Sequence, residues 1–494
     1  MLVAVQLDDE QRYRAVQSKD SRFDGWFVTA VRTTRIYCRP SCPAITPKRA
    51  NVEFFRTAAT AQQHGYRACK RCRPDASPGS PEWSLRADVV GRAMRLIADG
   101  RVDREGVGGL AARLGYSTRQ VNRLLDTELG CGPLALARAQ RAQTARVLIE
   151  TTTMPSTDIA FAAGFASVRQ YNDTIREVFA GSPTELRDAP RARRSRDAAG
   201  GELVLRLPVR VPFDAPALLE FLAMRAVPGV EEVVDGTYRR SLRLANGAAV
   251  VALTPGPDAV ACSLHVESLA DVQAAVQRCR RLLDLDNDPR AIDEQLGADP
   301  LLADLVAKRP GLRSPGHPDG AELLVRAMIG QQVSVAGART LAGRLVTEIG
   351  SPLPTPVGSV THLFPTAAAL ATRGPERMSM PMARARAIVG ACARLAAGEI
   401  VLDAGADRAE VVAQLVALDG IGPWTASYVA MRALGDPDVF MPTDLGVRHA
   451  LDALGVDARP GPAARLAERW SPWRSYALHH LWASLAPNDT KGSR

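Results

Sequence analysis

The chain has 494 residues, of which 46% are hydrophobic and 23% charged, and its formal net charge is +9. This length exceeds what a single hydrophobic core supports, so three or four globular domains are expected, and the apolar content excludes a largely disordered chain. Residues 1–200 carry a net charge of about +11 and residues 201–494 about −2, so a polyanionic partner is expected to meet the first part of the chain. The sequence contains no run of about 18 apolar residues, so no membrane span is predicted. The N-terminal segment lacks the apolar core of a signal peptide, and we expect a cytoplasmic protein without a membrane partner.

Residues 1–80 contain four of the eight cysteines in two close pairs, Cys38-x3-Cys42 and Cys69-x2-Cys72. Two such pairs separated by a short segment are typical of a tetrahedral zinc site with four thiolate ligands. The alternative is two unrelated cysteine pairs. The spacing therefore predicts one Zn²⁺ cofactor, bound by Cys38, Cys42, Cys69 and Cys72.

The residues around these cysteines resemble the N-terminal domain of the Ada family of methylation-response regulators. The resemblance rests on Arg-Ile-Tyr-Cys-Arg-Pro-Ser-Cys from Arg35, on Asn51-Val-Glu-Phe-Phe and on His64-Gly-Tyr-Arg-Ala-Cys. In that family one zinc thiolate accepts the methyl group of a methylphosphotriester in DNA, and the matching position here is Cys38. The chemistry of the residues leaves open which cysteine reacts. A purely structural zinc in a DNA-targeting module remains the alternative.

Residues 85–188 contain two similar helical patterns about fifty residues apart, after a Pro/Ser/Gly linker at 77–81. Each pattern predicts two helices joined by a glycine turn, which is the helix-turn-helix arrangement of DNA-binding proteins. The alternative for either pattern alone is a solvated helical bundle, but the repetition favours DNA binding. The pair resembles the AraC family of regulators. The polar side chains that begin the second helix of each unit suit phosphate and base contacts, and the candidates are Arg119, Gln120, Arg169 and Gln170.

Residues 189–201 are basic and have no apolar period, which predicts a flexible linker. Residues 202–289 alternate short strand patterns with helical stretches near 215–225 and 269–283, which predicts a small α+β domain. This segment resembles the N-terminal domain of AlkA-type 3-methyladenine glycosylases. We find no candidate catalytic residue in it and expect a structural role.

Residues 290–494 are predicted to be helical, with a tight Leu-Asp-Gly-Ile-Gly turn at 418–422 between two helices. Gly420 and Gly422 are both expected to take positive φ. Pro423 suits the first turn of the second helix. A glycine turn that opens a helix directs backbone N–H groups outward, where they can bind a DNA phosphate. The alternative is two core helices joined by a glycine turn.

With Trp424, Tyr428 and Asp444, this stretch resembles the helix-hairpin-helix DNA glycosylase superfamily. The resemblance implies that Asp444 is the catalytic carboxylate, and its alternative role is the N-cap of the next helix. The resemblance also implies that aromatic side chains stack on the excised base, namely Trp424, Tyr428 and Trp482. Gln332, within Gly330-Gln-Gln-Val-Ser, lies where the family inserts a side chain into the DNA duplex, and a helix-capping glutamine is the alternative.

Trp424 occupies the position at which bifunctional relatives carry a Schiff-base lysine, so hydrolysis of the N-glycosidic bond without strand cleavage is predicted. No set of iron–sulfur cysteines follows the hairpin, because the last cysteine is Cys392.

The predicted fold class is a multidomain protein, mainly α with α+β parts. In chain order it consists of a four-cysteine zinc domain, a double helix-turn-helix domain, a small α+β domain and a helix-hairpin-helix glycosylase domain at 290–494. The resemblance implies a monomer that regulates transcription and removes alkylated bases, with double-stranded DNA and RNA polymerase as partners. Two alternatives remain: a DNA-binding regulator with an inactive glycosylase fold, and a glycosylase with a structural zinc module.

Overall fold

The computed structural model describes residues 7–74, 86, 88–188 and 202–485, and both predicted linkers, at 77–81 and 189–201, lie outside this part. The chain forms two compact units. The first contains Met1–Val209, Arg239–Arg280 and Leu285–Asn287, and the second contains Arg210–Tyr238, Arg281–Asp284 and Asp288–Arg494. Residues 202–289 therefore contribute to both units. In the described ranges, no helix is long and apolar enough to cross a membrane.

The zinc-domain region of the first unit is a four-stranded sheet with two short helices. The strands, in spatial order β3-β1-β2-β4, are β1 (Val28–Val31), β2 (Ile36–Cys38), β3 (Val52–Phe55) and β4 (Arg67–Ala68), and the helices are α1 (Asp9–Gln17) and α2 (Ala58–Gln63). Strands β2 and β4 pair in parallel. Because parallel neighbours end at the same edge of a sheet, the two cysteine pairs meet there: Cys38 ends β2 and Cys69 follows β4.

The helix-turn-helix region of the first unit consists of seven helices: α3 (Val89–Ala98), α4 (Arg101–Leu114), α5 (Thr118–Leu129), α6 (Pro133–Thr151), α7 (Ser156–Ala162), α8 (Val168–Phe179) and α9 (Pro183–Arg187). Both second helices start in the same way, since the side chains of Ser117 and Ser167 accept hydrogen bonds from backbone N–H groups of α5 and α8. Gly115 and Gly164 take positive φ in the two turns, at 79° and 84°. The predicted tandem arrangement is confirmed.

The α+β region has five strands: β5 (Glu202–Pro208), β6 (Glu231–Val234), β7 (Thr237–Arg243), β8 (Ala248–Pro255) and β9 (Ala259–Val266). In the first unit β9 lies between β5 and β8 and pairs antiparallel with both. The two helical stretches form α10 (Ala215–Arg225) and α11 (Val272–Leu282). Of these, α10 belongs to the second unit.

The second unit is mainly helical, as predicted. Its further helices are α12 (Pro289–Gly297), α13 (Ala303–Lys308), α14 (Gly320–Ile329), α15 (Val335–Ile349), α16 (Ala367–Ala371), α17 (Met382–Ala396), α18 (Arg408–Val416), α19 (Pro423–Arg432), α20 (Leu445–Ala453), α21 (Pro460–Ala467) and α22 (Arg474–Ser484). The core that supports the hairpin includes Leu324, Ile388, Leu415 and Val429, all fully buried. One element was missed: β10 (Ser351–Val357) and β11 (Val360–Leu363) form an antiparallel pair. The sequence did not predict β10 because this strand contains three prolines, and proline is disfavoured within sheets.

Candidate functional site

The four predicted zinc ligands form one cluster, with their Sγ atoms all within 4.8 Å of one another. A tetrahedral zinc with Zn–S bonds of about 2.3 Å places its sulfurs about 3.8 Å apart, so the cluster fits one Zn²⁺ with four thiolates. Cys69 and Cys72 are buried, whereas Cys38 and Cys42 are half-buried.

Because the four cysteine thiols lie close together, they also shift one another's pKa values. Hydrogen bonding with Cys38 lowers the pKa of Cys42 to about 7, whereas hydrogen bonds from Cys42, Cys69 and Cys72, together with burial, raise the pKa of Cys38. A bound cation replaces the shared protons and holds all four sulfurs as thiolates.

A buried aspartate that sequence reasoning missed orders the loop between Cys38 and Cys42. Asp24 is 4% exposed and accepts hydrogen bonds from the Ser41 backbone N–H (3.0 Å) and hydroxyl (2.6 Å). It also pairs with Arg39 at 3.2 Å. The one sequence signal was an isolated Asp-Gly, which is too common to predict this role.

The second cysteine pair contacts the helix-turn-helix region within the first unit. Between Cys69 and Cys72, Lys70 Nζ donates to the carbonyl oxygen of Ala180, the C-cap of α8, at 3.1 Å. Arg73 forms an ion pair with Glu150 near the end of α6. The turn that contains Cys69 and Cys72 therefore contacts α8, the second helix of the second helix-turn-helix motif, and α6, the helix that connects the two motifs.

The four candidate DNA-reading side chains are all exposed and lie in the first turns of α5 and α8. The Arg169 side chain is 93% exposed. Gln120 has a further role, since its Oε1 accepts hydrogen bonds from the Ser117 backbone N–H (3.0 Å) and hydroxyl (2.7 Å). Helix α6 has 19 residues, about 28 Å of helix, which is comparable to the roughly 34 Å between successive major-groove segments.

The hairpin between α18 and α19 differs from the prediction at one glycine. Gly420 takes φ +76°, as expected, but Gly422 takes φ −92° and ψ 174° as the N-cap of α19. The prediction of positive φ at Gly422 is wrong, because an extended N-cap is what places Pro423 at the start of the helix. Both glycines are exposed. Gln331, which sequence reasoning missed, supports the turn by donating from Nε2 to the Gly420 carbonyl oxygen at 2.9 Å.

Gln332 lies beside this hairpin contact, between α14 and α15. It is exposed and takes φ +58°, a conformation that costs energy in a non-glycine residue. Helix α15 is capped by Ser334, whose hydroxyl accepts from the Gly337 backbone N–H at 3.1 Å. The alternative role of Gln332 as the helix cap is therefore wrong.

Asp444 lies in a cavity of about 550 Å³ in the second unit. It caps α20, as predicted, with Oδ1 accepting from the Val447 backbone N–H at 2.9 Å. The same oxygen accepts from Trp482 Nε1 at 2.8 Å, and Oδ2 accepts from Trp424 Nε1 at 2.9 Å. Three N–H donors therefore hold one carboxylate, and two of them belong to predicted base-stacking residues.

Aromatic rings form the walls of this cavity. Trp424 stacks on Tyr428, with ring centroids 5.3 Å apart and planes 7° apart. Trp482 lies against Phe221 at 6.3 Å and 21°. The structure thus brings the three predicted aromatic residues and Asp444 into one site.

Helix α10 contributes Phe221 and Arg225 to the cavity, a contribution that the sequence analysis of residues 202–289 did not predict. The Arg225 guanidinium lies 3.8 Å from the Phe221 ring centroid, and Arg432 Nη1 donates to the Tyr428 hydroxyl at 2.8 Å. Burial alone would raise the pKa of Tyr428, but the charges of Arg432 and Arg225 outweigh it and lower that pKa. No local pattern in the sequence links α10 to the hairpin.

Three family models match separate segments of the chain. Residues 11–75 match the metal binding domain of Ada, residues 110–189 a helix-turn-helix domain and residues 204–319 the AlkA N-terminal domain. A Mycobacterium tuberculosis protein described as "probable bifunctional transcriptional activator/DNA repair enzyme AlkA" is 57% identical over 479 residues, 97% of either chain. This chain belongs to that family of bifunctional proteins.

Two further relatives match its second half. The DNA-3-methyladenine glycosylase 2 of Escherichia coli is 36% identical over 278 residues, which is 55% of this chain and 94% of that protein. The structure of an Archaeoglobus fulgidus 3-methyladenine DNA-glycosylase aligns with a TM-score of 0.50 at 24% identity, covering 56% of this chain and 96% of that one. At 24% sequence identity, this similarity shows that the second half of the chain has the fold of that structure.

Membership of the family confirms the predicted multidomain fold class and the predicted metal centre. Residues 11–75 match a metal-binding domain, and the four cysteine sulfurs inside that range lie within 4.8 Å of one another. The predicted Zn²⁺ cofactor is thereby confirmed, and the clustered Cys38, Cys42, Cys69 and Cys72 fit it as ligands.

Proposed function

We propose that this protein removes alkylated bases from double-stranded DNA by hydrolysis, and that it also accepts a methyl group from DNA methylphosphotriesters to regulate transcription. The observation that carries the first activity is the Asp444 carboxylate held by two indole N–H groups inside an aromatic cavity. The relatives' names, DNA-3-methyladenine glycosylase and bifunctional transcriptional activator/DNA repair enzyme, support both activities.

The cavity suits a base that has been rotated out of the duplex. An enzyme that acts on a base must extrude it from the stack, and the exposed Gln332 beside the hairpin is the candidate to fill the gap. Alkylated purines such as 3-methyladenine carry a delocalised positive charge, so the faces of Trp424, Tyr428 and Trp482 attract them by stacking and cation–π interaction.

Asp444 then stabilises the reaction's developing charge. As the bond between C1′ and the base nitrogen breaks, its electron pair leaves with the base and positive charge grows on the sugar. A fixed carboxylate lowers the energy of that state and orients the water that attacks C1′. The described residues that line the cavity include no lysine, so no amine is in place for a Schiff base and the DNA strand stays intact.

Base release from a panel of duplexes, each with a single methylated or deaminated base, tests this activity. The unmodified protein is expected to release 3-methyladenine, and the Asp444→Asn variant is expected to bind the same DNA but release little base. No release by the unmodified protein would favour the alternative of a regulator with an inactive glycosylase fold, whereas equal release by both proteins would show that Asp444 is not the catalytic carboxylate. Nicked product without added alkali would contradict hydrolysis.

The second activity centres on Cys38. When bound, Zn²⁺ keeps the cysteine sulfurs ionised and nucleophilic at neutral pH. The Cys38 thiolate attacks the methyl carbon, the C–O bond breaks, and its electron pair stays on the phosphate oxygen as an ordinary diester. The exposed basic side chains beside the cluster, Lys70 and Arg71, attract the DNA backbone.

Mass spectrometry of the peptide that contains Cys38, after incubation with methylated DNA, tests this step. A gain of one methyl group on Cys38 is expected, and Cys42, the other member of the same cysteine pair, is the matched comparison. Methyl transfer to Cys42 would reassign the acceptor, and no transfer to any of the four would favour a structural zinc module.

Methylation also changes the charge of the cluster, which supports a regulatory role. Four thiolates on Zn²⁺ carry a formal charge of about −2, and one methylation makes it about −1. The weaker repulsion of DNA phosphates then raises the affinity for DNA. Gel-shift assays of methylated and unmethylated protein test this switch, and equal affinities would refute it.

The four exposed candidate side chains of α5 and α8 bind the operator in this scheme: Arg119, Gln120, Arg169 and Gln170. Arg169→Ala is expected to weaken operator binding and, if the contact is to phosphate, to reduce the salt dependence by about one ion. The scheme also includes a cytoplasmic monomer that recruits RNA polymerase. Light scattering with and without DNA tests the monomer, and transcription with purified polymerase tests the recruitment.

A further inference from the structure

Exposed apolar side chains lie together at the opening of the Asp444 cavity. Four of the large apolar residues that are exposed in the described part of the second unit line this cavity: Met224, Val333, Val335 and Leu445. Single exposed apolar side chains are common on protein surfaces, but a group of them beside a cavity marks a binding surface. Because a residue can be exposed and also line the cavity only where the cavity meets solvent, these four residues form an apolar rim around its opening.

Leu445 is the most exposed member of the apolar rim, at 65%, and lies next to the proposed catalytic carboxylate. It is the first residue of α20, directly after the N-cap Asp444, so the two Cα atoms are about 3.8 Å apart. Val335 is 48% exposed and has the same position in α15, directly after the N-cap Ser334. Two helices therefore begin at the cavity opening, and each presents an aliphatic side chain there.

The sugar of the substrate must lie at this opening in the proposed reaction. When the base occupies the cavity and Asp444 acts on C1′, the deoxyribose is beside Asp444 and therefore beside Leu445. C2′ of deoxyribose carries only hydrogen atoms, so this edge of the sugar is apolar and suits an aliphatic partner.

A sugar packed against the apolar rim would also keep water away from the reacting atoms. Asp444 is only half-buried in the free protein, so water shares its surroundings. A carboxylate attracts a positive charge about fourfold more weakly in water than at the effective dielectric constant of a protein surface. Displacing water from between Asp444 and C1′ therefore strengthens the stabilisation of the developing charge.

We propose that Leu445 is a substrate-positioning residue, whose side chain packs against the deoxyribose of the extruded nucleotide and excludes water from between Asp444 and C1′. This inference rests on the proposed base excision and names the part of the substrate that the apolar rim recognises. Stacking on the aromatic walls selects the damaged base, whereas the contact with Leu445 fixes the sugar at the carboxylate.

The chain provides a matched control in a leucine of the first unit. Leu134 is 63% exposed and is the second residue of α6. It is absent from the described residues that line the cavity. Leu445→Ala and Leu134→Ala therefore remove the same atoms from similarly exposed positions near the start of a helix, but only the first alters the apolar rim. Leu445→Met keeps an apolar side chain of similar volume.

The test compares the affinity of the full-length protein for three ligands: a duplex with an abasic-site analogue, the same duplex undamaged, and free 3-methyladenine. Leu445→Ala is expected to bind the analogue duplex about tenfold more weakly than the unmodified protein, and to bind the other two ligands equally well. The single-turnover rate of base release, measured with the protein in saturating excess, should also fall about tenfold because water enters beside Asp444. Leu445→Met and Leu134→Ala should keep the unmodified affinity and rate.

An unchanged affinity of Leu445→Ala for the analogue duplex overturns the inference. An equal loss of affinity for both duplexes also overturns it and assigns Leu445 to general DNA binding, and a loss of affinity for free 3-methyladenine assigns it to the base. An unmodified protein that releases base while Leu445→Ala behaves identically refutes this inference alone, whereas an unmodified protein that releases no base refutes the proposed function. Thermal melting checks that each variant folds, which is expected because both leucines are exposed.

Discussion

Replacing Asp444 by asparagine removes the negative charge from the cavity and keeps the shape of the side chain. Asparagine is as good an N-cap as aspartate, so α20 should still begin at this residue. The Oδ1 atom then continues to accept from the Val447 backbone N–H and Trp482 Nε1. The amide nitrogen takes the place of Oδ2, which accepts from Trp424 Nε1 at 2.9 Å, so two N–H donors face each other.

The loss of the negative charge and the loss of the Trp424 hydrogen bond have different consequences: the first lowers the reaction rate and the second lowers stability. At about 4 Å and an effective dielectric constant of about 20, a carboxylate attracts a unit positive charge by about 4 kcal/mol, which corresponds to a rate factor of about 10³. The lost Trp424 hydrogen bond costs about 1–3 kcal/mol of stability, a decrease of a few degrees in Tm for a unit of this size.

The assay is single-turnover base release from a duplex with one 3-methyladenine, with the protein in excess over DNA. The matched control is Asp407→Asn, because Asp407 is also an N-cap and accepts from the Ala409 and Glu410 backbone N–H groups at 3.1 Å. It does not line the cavity among the described residues. We expect Asp407→Asn to keep the unmodified rate.

An Asp444→Asn rate within tenfold of the unmodified protein would refute electrostatic stabilisation by this carboxylate. A thousandfold loss accompanied by loss of DNA affinity would instead indicate that the substitution disrupts the binding surface. Affinity for a duplex with an abasic-site analogue, measured in parallel, distinguishes these results.

Three further predictions concern packing, metal and pH. A Cβ on Gly446 would lie 3.0 Å from Trp482 Cδ1, so Gly446→Ala should lower the single-turnover rate of base release by about tenfold through a displaced indole. Gly390→Ala, with no atom within 4 Å of the added Cβ, should leave this rate unchanged in the same assay. Removing Zn²⁺ with a chelator should abolish methyl acceptance and lower the Tm of the first unit in a thermal melt without changing base release. Burial raises the pKa of Asp103 to about 6, above its unfolded value of about 3.9, so stability is lost as pH rises between these values. Because two pKa units correspond to about 3 kcal/mol, Asp103→Asn should raise stability by up to about 3 kcal/mol at pH 7.5 but not at pH 4. A denaturant titration that shows the same gain at both pH values would contradict this assignment.

The sequence by itself determined the parts of this protein whose chemistry is local. The spacing of two cysteine pairs specifies a four-thiolate metal site, because each pair must bring two sulfurs to one ion. The repeated helix-turn-helix pattern and the turn at Gly420 are likewise determined by residues that lie close together in the sequence. Even here, the backbone of Gly422 was predicted wrongly, and the prolines of β10 hid a strand.

Only the tertiary structure decided how the cavity is built. Trp424 and Trp482 lie 20 and 38 residues from Asp444, yet both indole N–H groups reach its carboxylate. Phe221, Arg225 and His479 join them from helices far apart in the chain. No sequence periodicity or spacing predicts that these side chains come together. Their proximity depends on how the buried helices pack against one another rather than on the residues within each helix.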